Sequence, residues 1–409
     1  MITSIKDFLF KYPVLYRFLK KSYLKSQYIF SSILKHSLKL LGHLFTLIPI
    51  KRNKIVVCNY FGKGYGDNGK YIVEELLNEG LKCDIVWLLR KDLIRNSEFS
   101  SQVRTVKYGS ILGLYELATA KVWIDNCRKS FYPPKRKEQF YIQTWHGGIA
   151  LKKIEKDAQN ALDEEYLKIA KNDSQMADLF ISNSRFCSEM YRSAFWYNGE
   201  IYECGTPRCD ILINNDNKEI ETIKIKLGID KNTKILLYAP TFRTDSNTKV
   251  YDIEYNILIN TLQSKFGSKW IILVRLHPNI SLKDNFMNYN LNIINVTNYP
   301  DMYELLLISD ILITDYSSTM FEFSLTQKPV FLYAVDIEQY SNDRGFYFNI
   351  FSLPYPLAEN NQQLMRSIEQ FDNSNYLIEL EELYNKLDIK EFGKSSKNIT
   401  ELIKQNIRS

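Results

Sequence analysis

DILITDYSSTMFEF, residues 310–323, joins a short apolar run to a helix-forming run through three consecutive hydroxyl residues. The run that ends at Asp315 has the composition of a buried strand, and Ser317, Ser318 and Thr319 are typical of a helix start. A strand that leads directly into a helix is the repeating unit of parallel α/β sheets. We therefore predict that this stretch belongs to a doubly wound domain, with its hydroxyl groups at the carboxyl end of a strand.

The same alternation of apolar runs and helical runs continues on both sides of this stretch. Downstream and immediately upstream, strands are predicted in KILLYAP (234–240), WIILVRLHP (270–278), LNIINVT (291–297) and KPVFLYA (328–334). Further upstream they are predicted in KIVVCNYF (54–61), CDIVWLL (83–89), VRTVKY (103–108), KVWIDNC (121–127), FYIQTWH (140–146), DLFISNS (178–184) and EIYECG (200–205). Helices are predicted at 70–78, 110–120, 158–170, 185–195, 254–265, 301–308 and 317–326, and the chain is predicted to be helical from about residue 361.

The chain length and a polar interruption indicate two domains of this type. A chain of 409 residues exceeds the ~100 to 200 residues of a usual domain. The polar run at 214–218 breaks the alternation. We predict a first Rossmann-type domain at 54–213 and a second at 214–409 with terminal helices, the two facing a cleft. Ligands of such sheets bind at the carboxyl ends of the strands, where we expect the chemistry.

The first 53 residues form a basic segment of different composition. Residues 1–54 contain eleven Lys or Arg and one acidic residue, interleaved with large aromatic and aliphatic side chains. Its longest uncharged run, residues 40–50, would span about 16 Å as a helix, against a hydrocarbon core of ~30 Å. No small-residue cleavage site follows that run, so a secretory signal is not indicated. We predict an amphipathic segment on an anionic membrane surface; a helical pair packed on the protein and a nucleic-acid arm are the alternatives.

Composition restricts the remaining classes of protein. With 45% hydrophobic and 24% charged residues the chain is globular rather than disordered or collagen-like. The six cysteines have no zinc-type spacing and indicate a reduced, cytosolic chain with buried thiols. Only His146 and His277 lie outside the basic segment, so a histidine-rich metal centre is not expected.

Polar residues follow several strands of the second half. In VRLHP, Arg275 and His277 are two residues apart on one predicted strand, so their side chains lie on the same face of the sheet. An arginine and a histidine on one face suit the negative charge of a phosphate. Around residues 317–319, hydroxyl and backbone N–H groups converge at a helix start, where an ordinary N-cap is the simpler reading. The candidate anion-binding and substrate-binding residues of this half are Thr241, Phe242, Arg243, Arg275, His277, Ser317, Ser318, Thr319 and Glu322.

The first half has a second set of candidates. QTWHGG places His146 at a strand end, followed by Gly147 and Gly148, which allow a ligand close to the backbone. A buried structural histidine is the alternative. GTPRCD adds Arg208 after a later strand, and the glycine-rich GYGDNGK adds Asp67 and Asn68 as helix caps or substrate contacts.

These motifs together resemble one enzyme family. QTWHGG, GTPRCD, YAPTFR, VRLHP and the block from SDILITDYSS to RGFYFN have the order and approximate spacing seen in CDP-glycerol glycerophosphotransferases, over residues 54 to about 355. The resemblance implies a GT-B-like fold and a membrane-bound enzyme of teichoic acid synthesis at the cytoplasmic face. It further implies transfer of a polyol phosphate from a CDP-polyol to a hydroxyl of a polyprenyl-diphosphate-linked acceptor, with release of CMP.

The resemblance also implies residue roles. Arg275, His277 and residues 317–319 would hold the diphosphate, assisted by Arg208, Thr241 and Arg243, and Glu322 would contact the ribose. His146 would be the general base and His277 the second catalytic histidine. No cofactor is required, although Mg²⁺ could arrive on the substrate phosphates. No nucleic-acid partner is expected.

Two other functions stay open from the sequence. One is a nucleotide-sugar-dependent GT-B glycosyltransferase, and the other is a non-catalytic membrane-surface protein with the same fold. The identity of the polyol, the number of units added, the polymer and the oligomeric state are not specified by the residues.

Overall fold

The computed structural model describes Lys21 and residues 37–94, 99–243, 249–276, 289–338 and 345–408. These residues form two parallel sheets with helices around them, which confirms the predicted α/β class. We call the part built on the first sheet the first unit and the part built on the second sheet the second unit. His277 and most of the basic segment lie outside the described residues.

The first unit has seven strands and four main helices. The strands are β1 Lys51–Cys58, β2 Asp84–Leu89, β3 Val103–Lys107, β4 Ala120–Asp125, β5 Phe140–Gln143, β6 Leu179–Ser182 and β7 Glu200–Glu203. The helices are α1 Asp67–Asn78, α2 Ile111–Thr119, α3 Glu164–Met176 and α4 Arg185–Ala194. α5 Asp210–Asn214 and α6 Asn217–Lys226 then lead to the second unit.

The second unit has six strands. They are β8 Lys234–Tyr238, β9 Trp270–Val274, β10 Ile293–Asn295, β11 Ile311–Thr314, β12 Val330–Tyr333 and β13 Leu357–Ala358. Its helices and the terminal helices are α7 Tyr255–Phe266, α8 Met302–Ile308, α9 Thr319–Phe323, α10 Asn361–Glu369, α11 Asn373–Leu387 and α12 Ser395–Arg408.

Among the described residues, the six strands of the second sheet repeat the order of the first six strands of the first sheet. The first runs β3-β2-β1-β4-β5-β6-β7 and the second β10-β9-β8-β11-β12-β13, all parallel. In each, the direction of winding reverses between the first and fourth strands, and a doubly wound sheet opens a crevice at the carboxyl ends of those strands. The two crevices therefore lie beyond β1 and β4 in the first sheet and beyond β8 and β11 in the second.

Apolar side chains of each strand serve both faces of the sheet, as a parallel sheet covered on both sides requires. Along β1, Ile55 and Val57 join one hydrophobic cluster while Val56 and Cys58 join the other. Ile399 and Ile403 of α12 belong to the cluster of Ile55. The last helix thus packs on the first sheet, although it belongs to residues 214–409, which the sequence analysis assigned to the second domain. The predicted domain boundary at residue 214 stays a prediction.

Three local features differ from the sequence prediction. The helix expected at 158–170 is shifted to Glu164–Met176, because Asp163 caps it and residues 155–161 form a 3₁₀ helix. β13 has two residues, too few to give a periodic pattern. The helix expected at 317–326 is the short α9 followed by a 3₁₀ turn at Ser324–Thr326.

The described end of the basic segment packs on the first unit. Residues 37–45 are helical, and the Phe45 ring meets the Tyr115 ring of α2 edge to face at 5.8 Å. Arg136 Nη1 donates to the carbonyl oxygens of Thr46 and Ile48 at 2.9 Å each. Among the described residues, no helix has the length and apolarity needed to span a bilayer.

Candidate active site between the two units

The loop after β5 and the turn before α9 meet between the units. A Cβ placed on Gly147 would lie 4.0 Å from Ser318 Oγ. Gly147 follows His146 in the first unit, and Ser318 belongs to the hydroxyl cluster of the second. The structure therefore brings together the two sets of candidates that the sequence placed in separate halves.

His146 is held as a neutral imidazole with one nitrogen available. Its Nδ1 lies 2.7 Å from the carbonyl oxygen of Asn126, so Nδ1–H donates and Nε2 keeps its lone pair. Burial lowers the pKa of His146, because the imidazolium loses solvation, and the bond to Asn126 opposes this in part. The ring lies against Trp145, with centroids 4.2 Å apart. A neutral, partly exposed imidazole of this kind can accept a proton at cellular pH.

Gly147 and Gly148 differ in what surrounds them. A Cβ on Gly147 would meet no atom closer than 3.9 Å, whereas a Cβ on Gly148 would lie 2.5 Å from Asn183 Nδ2. Gly148 is therefore required by packing. Gly147 leaves the space in front of Ser318 open, and the approach of a ligand to its backbone stays a prediction.

The hydroxyl cluster of the second unit is partly exposed. Ser317 Oγ donates to Thr319 Oγ1 at 2.8 Å, and no side-chain bond caps α9 at Ser318. Thr241 lies beside the cluster at the winding reversal of the sheet, where its N–H and its hydroxyl donate to the two oxygens of Asp315. Phe242 is partly buried against the core. These residues keep a surface that a ligand could reach.

Arg275 is a mostly buried cation at the end of the neighbouring strand β9. Its Nη1 donates to the carbonyl oxygen of Tyr299 at 2.7 Å. No carboxylate forms an ion pair with it among the described residues, and burial lowers its pKa. A buried cation without a carboxylate partner is stabilised by an anionic ligand. The diphosphate role of Arg275 stays a prediction, and His277 lies outside the described residues.

Arg208, Asp67 and Glu322 are bound to each other, which differs from the roles expected for them. Arg208 is 2% exposed. Its Nη1 donates to both oxygens of Asp67 at 2.8 and 2.9 Å, and its Nη2 donates to Glu322 at 2.6 Å. The other oxygen of Glu322 accepts from the hydroxyl of Tyr303. The three side chains bridge the two units, and Arg208 Nε has no hydrogen-bond partner among the described residues. The substrate roles expected for them stay predictions.

Arg243 and Asn68 also have partners within the protein, and the substrate contacts expected for them stay predictions. Arg243 donates to Asp336 and Asp315, at 2.6 and 2.9 Å, which fixes the loop after β8. Asn68 is buried, donates to the carbonyl oxygen of Trp145 and accepts from the backbone N–H of Arg208. Sequence reasoning could not see these contacts, since the partners are distant along the chain.

A second contact between the units lies at 151–153. The N–H of Lys153 donates to the carbonyl oxygen of Gly345, and the N–H of Tyr347 donates to that of Leu151. The hydroxyl of Tyr347 donates to Asp157 at 2.6 Å. Among the described residues, the contacts between the units therefore include the Arg208 bridge and this backbone pairing.

Other groups near His146 do not add a nucleophile or a metal site. Cys127 Sγ lies 3.7 Å from His146 Nδ1, but burial raises the pKa of this thiol strongly, which keeps it protonated. Within the described ranges, no group of three or more His, Cys, Asp or Glu could hold a metal ion. The thiols of the described chain are free, and five of the six cysteines are buried.

Sequence reasoning missed Asn126 and Asp315. Asn126 orients the imidazole through its carbonyl oxygen, and Asp315 holds both Thr241 and Arg243. Each follows a strand beside the winding reversal of its sheet, so the polar ends of KVWIDNC and DILITDY were the available signal.

Comparison with known proteins identifies the family of this arrangement. Residues 41–405 match the model of the CDP-glycerol:poly(glycerophosphate) glycerophosphotransferase family. The chain belongs to that family. The match covers both units and the glycerophosphotransferase motifs in each of them, which confirms the resemblance seen in the sequence.

Curated relatives and solved structures agree with membership of the glycerophosphotransferase family. A teichoic acid poly(glycerol phosphate) polymerase of Bacillus spizizenii is 32% identical over 387 residues, 91% of this chain and 97% of that protein. The polymerase of that name from Staphylococcus epidermidis is 32% identical over 376 residues, but the chain spans about half (51%) of its length. The structure of the wall teichoic acid polymerase TagF has a TM-score of 0.80 at 30% identity, covering 94% of this chain and 98% of that one, and a variant of it has been soaked with CDPG.

Proposed function

We propose that this chain transfers a polyol phosphate, glycerol phosphate in the first instance, from a CDP-polyol to a hydroxyl of a lipid-linked acceptor in teichoic acid synthesis. The two units would face a GT-B-like cleft, with the donor on the second and the acceptor on the first. One observation carries the proposal: the loop of neutral His146 is opposite the hydroxyl cluster of the second unit, with Gly147 and Ser318 in near contact.

The donor diphosphate would lie at the carboxyl ends of β9 and β11. Two phosphates need charge neutralisation before the anhydride bond breaks. Arg275 supplies a buried positive charge that has no carboxylate partner among the described residues, and the hydroxyls of Ser317, Ser318 and Thr319 supply donors. Magnesium, where it takes part, would be bound through the substrate phosphates rather than by a resident cluster.

The base step would use Nε2 of His146. The acceptor oxygen attacks the phosphorus that carries the polyol, the bond from that phosphorus to the oxygen of CMP breaks, and the hydroxyl proton passes to Nε2. The carbonyl oxygen of Asn126 keeps the proton of Nδ1 in place throughout. A positioned base of this kind contributes about 10² to 10⁴ in rate.

The lipid-linked acceptor requires access to a membrane, and the described end of the basic segment supports a peripheral location at the cytoplasmic face. Leu40, Leu44 and Leu47 are 64%, 51% and 80% exposed, while Phe45 faces the protein. Leu40 and Leu44 lie one turn apart on the helix of residues 37–45, and Leu47 lies in the turn that follows it. With the lysines that precede them, these exposed leucines suit the headgroup region of an anionic bilayer.

The proposal is tested by incubating the protein with a lipid-linked acceptor and either CDP-glycerol, CDP-ribitol or a UDP-sugar, and by separating the nucleotides released. We expect CMP from at least one CDP-polyol and no nucleoside diphosphate from the sugars. Release of UDP would favour a glycosyltransferase. No release from any donor, with folded protein and acceptor confirmed, would favour a binding protein.

A further inference from the structure

The buried bridge of Asp67, Arg208 and Glu322 lies between the two halves of the candidate site. We infer that Arg208 is a positioning residue, which sets the separation between His146 and the hydroxyl cluster at 317–319. The inference rests on the proposed function for its reaction, but its structural part can be measured without any turnover.

On the first unit, Arg208 is connected to the loop that carries His146. Its backbone N–H donates to Asn68 Oδ1 at 3.2 Å, and Asn68 Nδ2 donates to the carbonyl oxygen of Trp145 at 3.1 Å. Asp67, the carboxylate that faces Arg208, accepts from the hydroxyl of Tyr60 at 2.8 Å. The Tyr60 ring lies 5.5 Å from the His146 ring, centroid to centroid. The first route ends at the backbone of Trp145, which precedes His146, and the second ends at the imidazole ring.

On the second unit, Arg208 is connected to the hydroxyl cluster. Glu322 lies on α9, the helix that follows Ser317 and Ser318, and it binds Arg208 and Tyr303. The guanidinium also lies over the Tyr303 ring, 5.2 Å from its centroid. A planar guanidinium with donors in fixed directions sets both distance and angle between two carboxylates, which an ammonium group does not.

The two units do not depend on the Arg208 bridge alone for their association, because other contacts also join them. Lys70 of α1 binds Asp301 and Glu304, at 2.6 and 2.7 Å, and the backbone pairing at 151–153 joins the units elsewhere. The Arg208 contacts lead to both reacting regions, through Asn68 and Tyr60 on one side and through Glu322 on the other. Loss of the guanidinium should therefore leave the units associated but change their register, and a misplacement of about 1 Å can lower a rate by ~10²-fold.

Register can be measured by crosslinking Gly147→Cys to Ser318→Cys, because a Cβ on Gly147 would lie 4.0 Å from Ser318 Oγ and the rate of disulfide formation depends on how often the two side chains meet. We would compare the rate of oxidation in otherwise wild-type protein, in Arg208→Lys and in Tyr347→Phe. The last variant removes the bond to Asp157 at the other contact and serves as the matched control. Gly147→Cys alone reports any crosslinking to native cysteines.

We expect Arg208→Lys to slow crosslinking at least ~10-fold and, without the cysteines, to lower kcat for transfer about 100-fold, with donor dissociation constant within about twofold of wild type. Tyr347→Phe should change neither quantity more than about threefold. If Arg208→Lys does not fold, Glu322→Gln is used instead, and we expect it too to slow crosslinking and to lower kcat.

Unchanged crosslinking and unchanged kcat per donor-binding site in Arg208→Lys would overturn the positioning role. Equal losses in Arg208→Lys and Tyr347→Phe would also overturn it, because general weakening of the interface would then explain both. If the wild-type protein releases no CMP, the proposed function fails, and the crosslinking rates alone decide whether Arg208 sets the register.

Discussion

His146 Nδ1 lies 2.7 Å from the backbone carbonyl oxygen of Asn126. This contact fixes the tautomer, because a carbonyl oxygen can only accept and Nδ1 must therefore carry the proton. In the part of the chain that the structure describes, Nε2 has no bonded partner. The imidazole is thereby prepared to take a proton from a ligand between the units.

The first prediction concerns the pH dependence of transfer. Because burial lowers the pKa of His146, its basic form persists to lower pH than that of an ordinary histidine of about 6.5. We expect kcat/KM, which reports groups of the free enzyme, to fall on the acid side with an apparent pKa below that value, measured from about pH 5 to about pH 8. An acid limb centred above about 7 would contradict the burial argument.

A second prediction separates the roles of the two glycines. Gly148→Ala should destabilise the fold by about 1 to 3 kcal/mol, because its Cβ would clash with Asn183. Gly147→Ala meets no close atom and should keep its thermal midpoint, yet raise the donor KM by narrowing the approach to Ser318. Thermal unfolding and donor kinetics of both variants test this. Equal melting losses would show that Gly147 is also a packing residue.

A third prediction addresses donor binding. Removing a hydrogen bond to a charged phosphate costs about 1.5 to 3 kcal/mol, a ~10- to 100-fold change in affinity. Ser318→Ala and Arg275→Ala should weaken CDP-glycerol binding by that amount in calorimetry. Ser367→Ala, whose exposed hydroxyl donates to the carbonyl oxygen of Gln363, is the control. Donor affinity unchanged in both site variants would move the diphosphate elsewhere.

A fourth prediction concerns the membrane. Leu44→Asp with Leu47→Asp should reduce co-sedimentation with vesicles that contain anionic lipid, since an exposed apolar face is replaced by negative charge. Ile225→Asp with Ile257→Asp changes two exposed apolar residues of the second unit and should leave binding unaltered. Similar losses in both pairs would argue against a specific membrane face at residues 40–47.

A fifth prediction concerns stability and pH at Glu391. Burial raises the pKa of Glu391 to about 7, above its usual 4.5. The folded state therefore holds this proton more tightly than the unfolded state, so this group favours folding at low pH and loses that contribution as pH rises through about 7. Glu391→Gln should raise the melting temperature at about pH 8 and have little effect below about pH 4. A difference in melting temperature between Glu391→Gln and wild type that does not change with pH would exclude the raised pKa of Glu391 as its cause.

Much of the architecture follows from local pattern. Continuous apolar runs such as 234–240 and 310–316 predicted β8 and β11, and polar residues after them located Thr241 and Ser317 at the carboxyl ends of the strands. Once two such sheets face a common cleft, His146 on one side and the hydroxyl cluster on the other are expected to face each other. These features depend on neighbouring residues, which a sequence displays directly.

The roles of the charged residues could not be predicted in the same way. Arg208 finds its partners 141 and 114 positions away, at Asp67 and Glu322. The packing between the units decides whether an arginine at a strand end binds a phosphate or a carboxylate. The residues next to the arginine in the sequence do not predict which of the two it binds. The packing of α12 on the first sheet also depends on contacts between residues far apart in the sequence. Asp210 accepts hydrogen bonds from the N–H groups of Ser395 and Ser396 at the start of this helix.

The central claim is that one unit binds the donor while His146 of the other unit takes the proton of the acceptor. Single-turnover CMP release from CDP-glycerol, measured with a lipid-linked acceptor in wild type and in His146→Ala, tests it most directly. We predict a rate ~10² to 10⁴ lower in the variant, with the dissociation constant of the donor unchanged. Release at nearly the wild-type rate in His146→Ala would contradict the account.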